Sequence, residues 1–509
     1  MISRILSAAI TGIDGYLLEI EVDIANGLPQ ISIVGLPDAT VKEAKDRVLS
    51  AIKNSDFKFP VKKITINLAP ASTKKQGSAY DLPIALGILA ANGQLSQQAL
   101  NEFIVLGELS LDGTAKPING ILSMILGVRH LGYKILVPVE NAEEAAVVSN
   151  APVFPINSLS KAVSFLNREI KINAKQANPN DLLKENSNYE MDFSDVKSQR
   201  FAKRAMQVAV SGNHNILLIG PPGSGKTMLA RRIPTIIPKI SLEEALETTK
   251  LYSISGLMTK HQALITKRPF RSPHHTTSNI ALIGGGSNPK PGEVSFAHNG
   301  VLFLDELPEF SRNVLESLRQ PLEDGFVTIC RAAGTLSFPS RFMLVCAMNP
   351  CPCGFYTHPH KECRCSPYKI EQYRAKISGP LLDRIDIHIE IPPINYKELT
   401  TEIKEETSTE IRKKINLARN IQQERFKKSK IFANAYMSPK QIKKYCQLDN
   451  QSNQLLKMAI NELGLSARAY NKILKISRTI ADLENKQDIT VEHISEAIQY
   501  RSLDRNIMQ

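Results

Sequence analysis

Apolar and polar positions alternate with a period of two at Ile31-Ser32-Ile33-Val34 and at Ile64-Thr65-Ile66-Asn67-Leu68, the pattern of strands with one buried face. Val41 to Asn54 and Leu82 to Ala91 carry apolar residues at helical spacing instead, so residues 1–167 read as a mixed α+β domain. Residues 168–190 are polar, rich in Asn and Lys and without periodicity, which reads as a linker. Between 191 and 395, short apolar runs (Ile216 to Ile219, Val301 to Leu304, Phe342 to Ala347) alternate with helical stretches, predicting an α/β domain on a parallel sheet. Within it, Asn313 to Glu323 predicts a helix. Val327 to Arg331 and Thr335 to Phe338, around Ala332-Ala333-Gly334, predict a hairpin. From Tyr396 to residue 509 the pattern is almost wholly helical. The fold class is therefore α/β: an N-terminal α+β domain, a central domain with a parallel sheet, and an all-helical C-terminal domain.

The chemistry begins where the first of those central strands ends. Gly220-Pro221-Pro222-Gly223-Ser224-Gly225-Lys226-Thr227 follows Ile219 directly and opens a helical run. Glycines let backbone N–H groups turn inward around phosphate oxygens, and a helix N-terminus adds positive potential at the same place. In this pattern the Lys226 ammonium reaches the β- and γ-phosphates and the Thr227 hydroxyl ligates Mg²⁺. A second apolar run, Val301 to Leu304, ends in Asp305-Glu306. Asp305 is placed to hold the magnesium shell and Glu306 to polarise the attacking water. Loop and acid pair together predict binding and hydrolysis of a nucleoside triphosphate, with ATP and Mg²⁺ as cofactors.

Composition narrows the setting. A chain of 509 residues is too long for one ordinary core. No apolar stretch approaches the ~20 residues that span a bilayer. The opening Met1-Ile2-Ser3-Arg4 leads into a short alternating pattern rather than a secretory signal. A cytoplasmic location without membrane association is the expectation. The net charge of +13 favours a polyanionic partner. Among seven cysteines, Cys351, Cys353, Cys363 and Cys365 cluster as two CxC pairs, a set able to wrap one tetrahedral Zn²⁺ and close a polar loop. His358 and His360 lie inside that loop as substitute ligands.

Several longer stretches carry a resemblance. They are Pro269-Phe270-Arg271-Ser272-Pro273-His274-His275-Thr276, Gly284-Gly285-Gly286, Pro291-Gly292-Glu293-Val294-Ser295-Phe296-Ala297-His298, Asn349-Pro350-Cys351-Pro352-Cys353-Gly354 and Ser378-Gly379-Pro380-Leu381-Leu382-Asp383-Arg384-Ile385-Asp386. With the loop and acid pair, they resemble the magnesium-chelatase-like branch of the AAA+ ATPases, and over the whole chain the ComM/YifB family. The resemblance implies that Asn349 is the sensor-1 residue, that Arg384 is an arginine finger completing the neighbouring subunit's site, and that Arg468, in Leu465-Ser466-Ala467-Arg468, is the sensor-2 arginine of a helical lid. A finger acting between subunits implies a homo-oligomeric ring, a hexamer by analogy.

Residues 1–167 resemble the proteolytic domain of Lon-type proteases. On that motif, Ala79 takes the position of the nucleophilic serine and Leu122 that of the general-base lysine, with Ser78 one residue out of register. The resemblance therefore implies a retained fold without a catalytic dyad. Lys62, Lys63, Lys74 and Lys75 are candidate DNA contacts there. In the ATPase branch it resembles, the predicted hairpin points into the ring channel, making Arg331 a candidate phosphate contact, and Lys290 in the glycine-bearing insert is a second. A further basic run between Arg412 and Lys444 holds eleven Lys or Arg against the single acid Glu424, a candidate phosphate-tracking face. The function implied is a DNA helicase that migrates branched DNA in natural transformation, acting on single-stranded and branched DNA beside a recombinase and competence factors. Protein remodelling by a chelatase-type motor is the rival expectation.

Overall fold

The computed structural model describes residues 2–148, 152–185, 189–259, 262–331, 334–356, 358–393, 405–429, 431–463 and 466–503. The chain packs as two units, one formed by Met1–Asn186 with Ser241–Thr266, the other by Ser187–Ile240 with Lys267–Gln509. Residues 241–266, expected within the central domain, thus belong to the first unit. The sequence boundary at 395/396 lies outside the described residues.

The first unit is built on seven strands: β1 (Ile2–Thr11), β2 (Asp14–Ala25), β3 (Gln30–Val34), β4 (Lys63–Ala69), β5 (Phe103–Val105), β6 (Lys134–Pro138) and β7 (Val153–Ile156), in the order β3-β4-β2-β1-β5-β6-β7. The helix Asp81–Ala91 is apolar nearly all round and buried accordingly. The helix Ile121–Val128 lies directly on β2, where an added Cβ on Gly15 would stand 2.2 Å from the Ser123 carbonyl oxygen and one on Gly127 would stand 2.0 Å from that of Gly15.

Two segments extend this unit. The linker residue Lys175 donates its N–H to the Val153 oxygen at the sheet edge (2.7 Å) and pairs with Glu143 (2.8 Å). Main-chain pairing thus holds this part of the expected linker on the sheet. The helix Leu242–Ile254 starts with a capping box between Ser241 and Glu244 and packs on the helix Ile121–Val128. There the Gly120 N–H donates to the Ser253 oxygen (3.1 Å). Beside this contact Glu144 is buried and accepts from the Leu122 N–H (3.2 Å); burial pushes its carboxyl up to about 7.

The second unit has a parallel sheet of β8 (Ile216–Ile219), β9 (Phe270–Arg271), β10 (Val301–Leu304), β11 (Met343–Met348) and β12 (Ile387–Glu390), ordered β9-β10-β11-β8-β12. Its three central strands, β10, β11 and β8, are buried throughout, as strands covered on both faces are. The C-terminal helices share that core: Ile411, Ile415, Ile473 and Ile480 join the same apolar cluster as Ile216, Ile233 and Val345.

The three arginines of the basic run are structural. Arg412 donates to the Thr235 oxygen (2.9 Å), Arg419 to that of Val210 (2.9 Å), and Arg425 binds Asp482 (2.7 Å). With these three arginines turned inward, only its lysines remain for a phosphate-tracking face; of these Lys430 lies outside the described residues. Lys75 is likewise buried, its amine on the Pro70 oxygen, and is withdrawn as a DNA contact; Lys62, Lys63 and Lys74 are exposed. Among the described residues no helix is long and apolar enough to cross a membrane.

Candidate nucleotide site and its surroundings

Parallel strands deliver their C-terminal ends to one edge of a sheet, and three of them converge here. β8 runs into the glycine loop, β10 into Asp305-Glu306 and β11 into Asn349. Gly223 and Gly225 take left-handed φ values of 79° and 83°, a turn that side chains disfavour. The helix Lys226–Ile236 follows. The Lys226 amine donates to the oxygens of Gly220 (2.7 Å) and Pro221 (2.9 Å) and to Asn349 Oδ1 (3.2 Å). Burial lowers its pKa, opposed by Asp305 and Glu306. The Thr227 hydroxyl donates to Asp305 Oδ2 (2.7 Å). The Ser224 hydroxyl is buried and has no partner among the described residues.

This arrangement fits a magnesium–triphosphate group: an ammonium held by carbonyl oxygens, a hydroxyl–carboxylate pair, a glycine loop in a left-handed turn and an orphaned hydroxyl. Glu306 has a left-handed φ of 53°, unusual for a side-chain-bearing residue. Its carboxylate lies 3.4 Å from His275 Nδ1, so the histidine pair of the Pro269–Thr276 stretch stands at the candidate base. In sequence that stretch carries the family resemblance alone, with no role at the site.

Arg384 and Arg468 are elsewhere. Arg384 precedes β12, and Asn215, which accounts for the bond to the Arg384 oxygen (3.0 Å), precedes β8. Both therefore lie at the N-terminal edge of the sheet. A four-residue strand separates the two edges by about 13 Å. The Arg384 side chain donates to the Pro380 oxygen (2.6 Å) and binds Glu323. Arg468 pairs with Asp383 (3.6 Å). Both arginines line one cleft of about 390 Å³. Arg468, expected as a phosphate contact, stands within its own chain beside Arg384 and away from Lys226. Leu465 of that motif lies outside the described residues.

The predicted hairpin forms from Phe326–Arg331 and Gly334–Pro339; its tip, 332–333, is outside the described residues. Arg331 Nε donates to the Gly286 oxygen (3.4 Å), and Gly284-Gly285 pairs with Lys290-Pro291. Arg331 and the insert carrying Lys290, read from sequence as two separate candidates, are thus brought together.

Cys351, Cys353, Cys363 and Cys365 place their sulfurs within 4.8 Å of one another. Three pairs lie at 3.3, 3.5 and 3.7 Å, against the ~3.8 Å that tetrahedral Zn–S bonds of ~2.3 Å would require. The four thiols fit a zinc ion. The histidines stand apart, His358 Nδ1 accepting from the backbone of His360 and Lys361. The loop also touches the nucleotide site: an added Cβ on Gly354 would lie 2.5 Å from Pro222.

In the first unit the Ser78 hydroxyl donates to Glu108. Ala79 and Leu122 are both buried. The neighbouring Asp81 carboxylate is held by Arg47 (2.7 and 3.0 Å), yet burial raises its carboxyl to about 6.

Fold and site together define a P-loop ATPase of the AAA+ magnesium-chelatase class. Three family profiles match in sequence: Magnesium chelatase, subunit ChlI, over residues 192–399; Subunit ChlI of Mg-chelatase over 20–141; and the ChlI C-terminal profile over 405–501. The chain belongs to the ComM/YifB family within that class. It is 45% identical over 508 residues to the competence protein ComM of Haemophilus influenzae, covering 98% of this chain and 97% of that protein. It is 42% identical over 505 residues to YifB of Escherichia coli K12, covering 99% and 98%. Part of the chain is also 29% identical over 142 residues to the Lon protease of Leptospira interrogans, covering 27% of this chain and 17% of the protease. The N-terminal region is thus Lon-like.

Proposed function

We propose that this protein is a ring-forming, DNA-stimulated ATPase that moves along single-stranded and branched DNA, extending recombination joints during natural transformation. The observation that carries the reading is the division of the catalytic groups between two edges of one sheet. Lys226, Thr227, Asp305, Glu306 and Asn349 form one half of a site; Arg384 and Arg468 form the other, out of each other's reach within a chain. A neighbouring copy that brings its N-terminal sheet edge against the first copy's nucleotide completes the site, and repetition of that contact closes a ring, a hexamer by family analogy.

In the completed site the loop amides and Lys226 hold the phosphates, and Thr227 and Asp305 hold magnesium. A magnesium ion held there would neutralise charge on the phosphates. Glu306 accepts a proton from the attacking water while Asn349 orients it. Arg384 and Arg468 of the neighbour stabilise charge on the transferred phosphoryl group. The joined hairpin and insert would pass the stroke to DNA through Arg331 and Lys290. Zinc at the four cysteines would hold the loop that abuts Pro222. The net charge of +13 and the likeness to a protein named for competence support DNA as the partner.

The test is ATP turnover with and without single-stranded and forked DNA across a salt series, together with unwinding of a three-stranded joint. Stimulation that weakens steeply with salt is expected. Turnover indifferent to DNA would sink the reading and favour a chelatase-type remodelling motor.

A further inference from the structure

The backbone around Arg384 is gripped from the helical region. Lys472 Nζ donates to the Ile385 oxygen (3.0 Å) and pairs with Asp386 Oδ1 (3.0 Å). Arg501 donates to the same Ile385 oxygen (2.7 Å). On the other side, Asn215 Nδ2 holds the Arg384 oxygen (3.0 Å), and the Asn215 Oδ1 is itself fixed by the Leu344 N–H (2.9 Å). His214 Nδ1 takes the second Asp386 oxygen (3.1 Å). The two carbonyls that follow the Arg384 Cα are therefore both occupied, and its side chain springs from a fixed backbone.

Lys472 lies on the helix Ala467–Leu483, one turn after Arg468. Residues four apart share a helix face. That face meets the loop twice, Arg468 on Asp383 before the finger and Lys472 on Ile385 and Asp386 after it. Burial of Asp386 would raise its carboxyl, but Lys472 and His214 outweigh this and hold it below the ordinary carboxylate range. The Lys472 ammonium is lowered to about 8, chiefly by burial and against the pull of Asp386. A half-buried, hydrogen-bonded pair of this kind fixes geometry more than it adds stability. Nothing about it serves the glycine loop, which lies at the other edge of the sheet.

We propose that Lys472 is the positioning residue of the arginine finger, locking the Arg384 backbone to the helix Ala467–Leu483 so that movement of that helix is delivered to the neighbour's γ-phosphate. This rests on the reading that Arg384 acts between subunits, and the experiment separates the two. Subunits carrying K226A supply a finger but bind no nucleotide. Subunits carrying R384A bind nucleotide but supply no finger. Mixed, the two should recover turnover at the junctions they share. Adding Lys472→Met to the K226A subunit should cut that recovered turnover by about 10- to 100-fold, the cost of a misplacement near 1 Å. The same change in the R384A subunit should leave it unaltered. Lys472→Arg in the finger donor should restore most of it.

Equal loss from either position would mark Lys472 as merely structural and overturn the proposal, as would no loss from the donor. Nucleotide affinity of the R384A/K472M subunit, followed with a fluorescent ATP analogue, should match that of R384A alone; a large fall would likewise show a general folding role. If the parent mixture recovers nothing, the intersubunit reading fails and this proposal fails with it.

Discussion

At the C-terminal edge of the parallel sheet, the groups that would touch a triphosphate are bonded to one another: Lys226 to Asn349 and Thr227 to Asp305. At the N-terminal edge the two arginines are bonded to their own surroundings, Arg384 to Pro380 and Glu323, Arg468 to Asp383. The Arg384 Nε is buried and without a partner among the described residues. On the proposed reading, the first edge holds the ligand and lacks the positive charge a transition state requires. The second has the charge and no phosphate loop. If both edges serve one reaction, the difference teaches that a catalytic set complete in sequence need not be complete in one chain.

The largest effects should break the first edge alone. Lys226→Ala is expected to remove nucleotide binding and reduce turnover to background, read by equilibrium binding and phosphate release. Glu306→Gln should leave binding intact and abolish turnover; rapid hydrolysis by that variant would deny Glu306 its role with water. Next comes the opposite edge. Arg384→Ala should bind nucleotide normally and lose about 10³-fold or more in turnover. Arg468→Ala should show the same separation with a smaller loss, and should be rescued by the same mixed partner. Rescue that required Arg468 in the nucleotide-holding subunit would dissolve the distinction between the edges.

A milder perturbation sharpens the first edge. Chelation should release about one zinc per chain and weaken nucleotide affinity several-fold, because the Cys351–Cys365 loop rests on Pro222 through Gly354. Freshly purified, reduced protein containing no zinc would remove the metal from this account. The smallest effect lies off both edges and serves as a control. Glu144, raised to about 7, keeps its proton in the folded state where the unfolded chain, with a pKa near ~4.3, has lost it. Its contribution is full below that lower value and is lost as pH rises toward and through about 7. Glu144→Gln should flatten this part of the melting-temperature profile and raise stability slightly at pH 8, with ATP turnover unchanged.

The glycine loop, the acid pair and the four cysteines were legible in sequence because each depends on local spacing. The alternating elements also announced the parallel sheet. What sequence could not carry was which edge a residue occupies. Arg384 and Arg468 are far apart in the chain and share a cleft only because the helix Ala467–Leu483 packs against the loop 383–386 that precedes β12. The same holds for His275 beside Glu306 and for Lys472 beside Ile385, although the spacing of four between Arg468 and Lys472 was a usable signal. The arginines of the basic run were illegible for a related reason: a list of cations does not reveal that Arg412, Arg419 and Arg425 cap carbonyls or bind Asp482 inside the unit. The stray helix Leu242–Ile254 left no mark in periodicity, since an apolar face reads alike whichever core receives it.

That helix has a practical consequence for dissection of the molecule. The polypeptide leaves the nucleotide unit four residues after the helix Lys226–Ile236 ends and re-enters it just before β9. A fragment cut at 186/187 would carry Leu246, Leu251 and their neighbours with no core to receive them, inviting clumping and insolubility. A complementary fragment ending at 186 would expose the surface around Gly120 and Glu144. The smallest honest deletion is a splice: excise 241–266 together with the first unit and bridge Ile240 to Lys267 with a short hydrophilic tether.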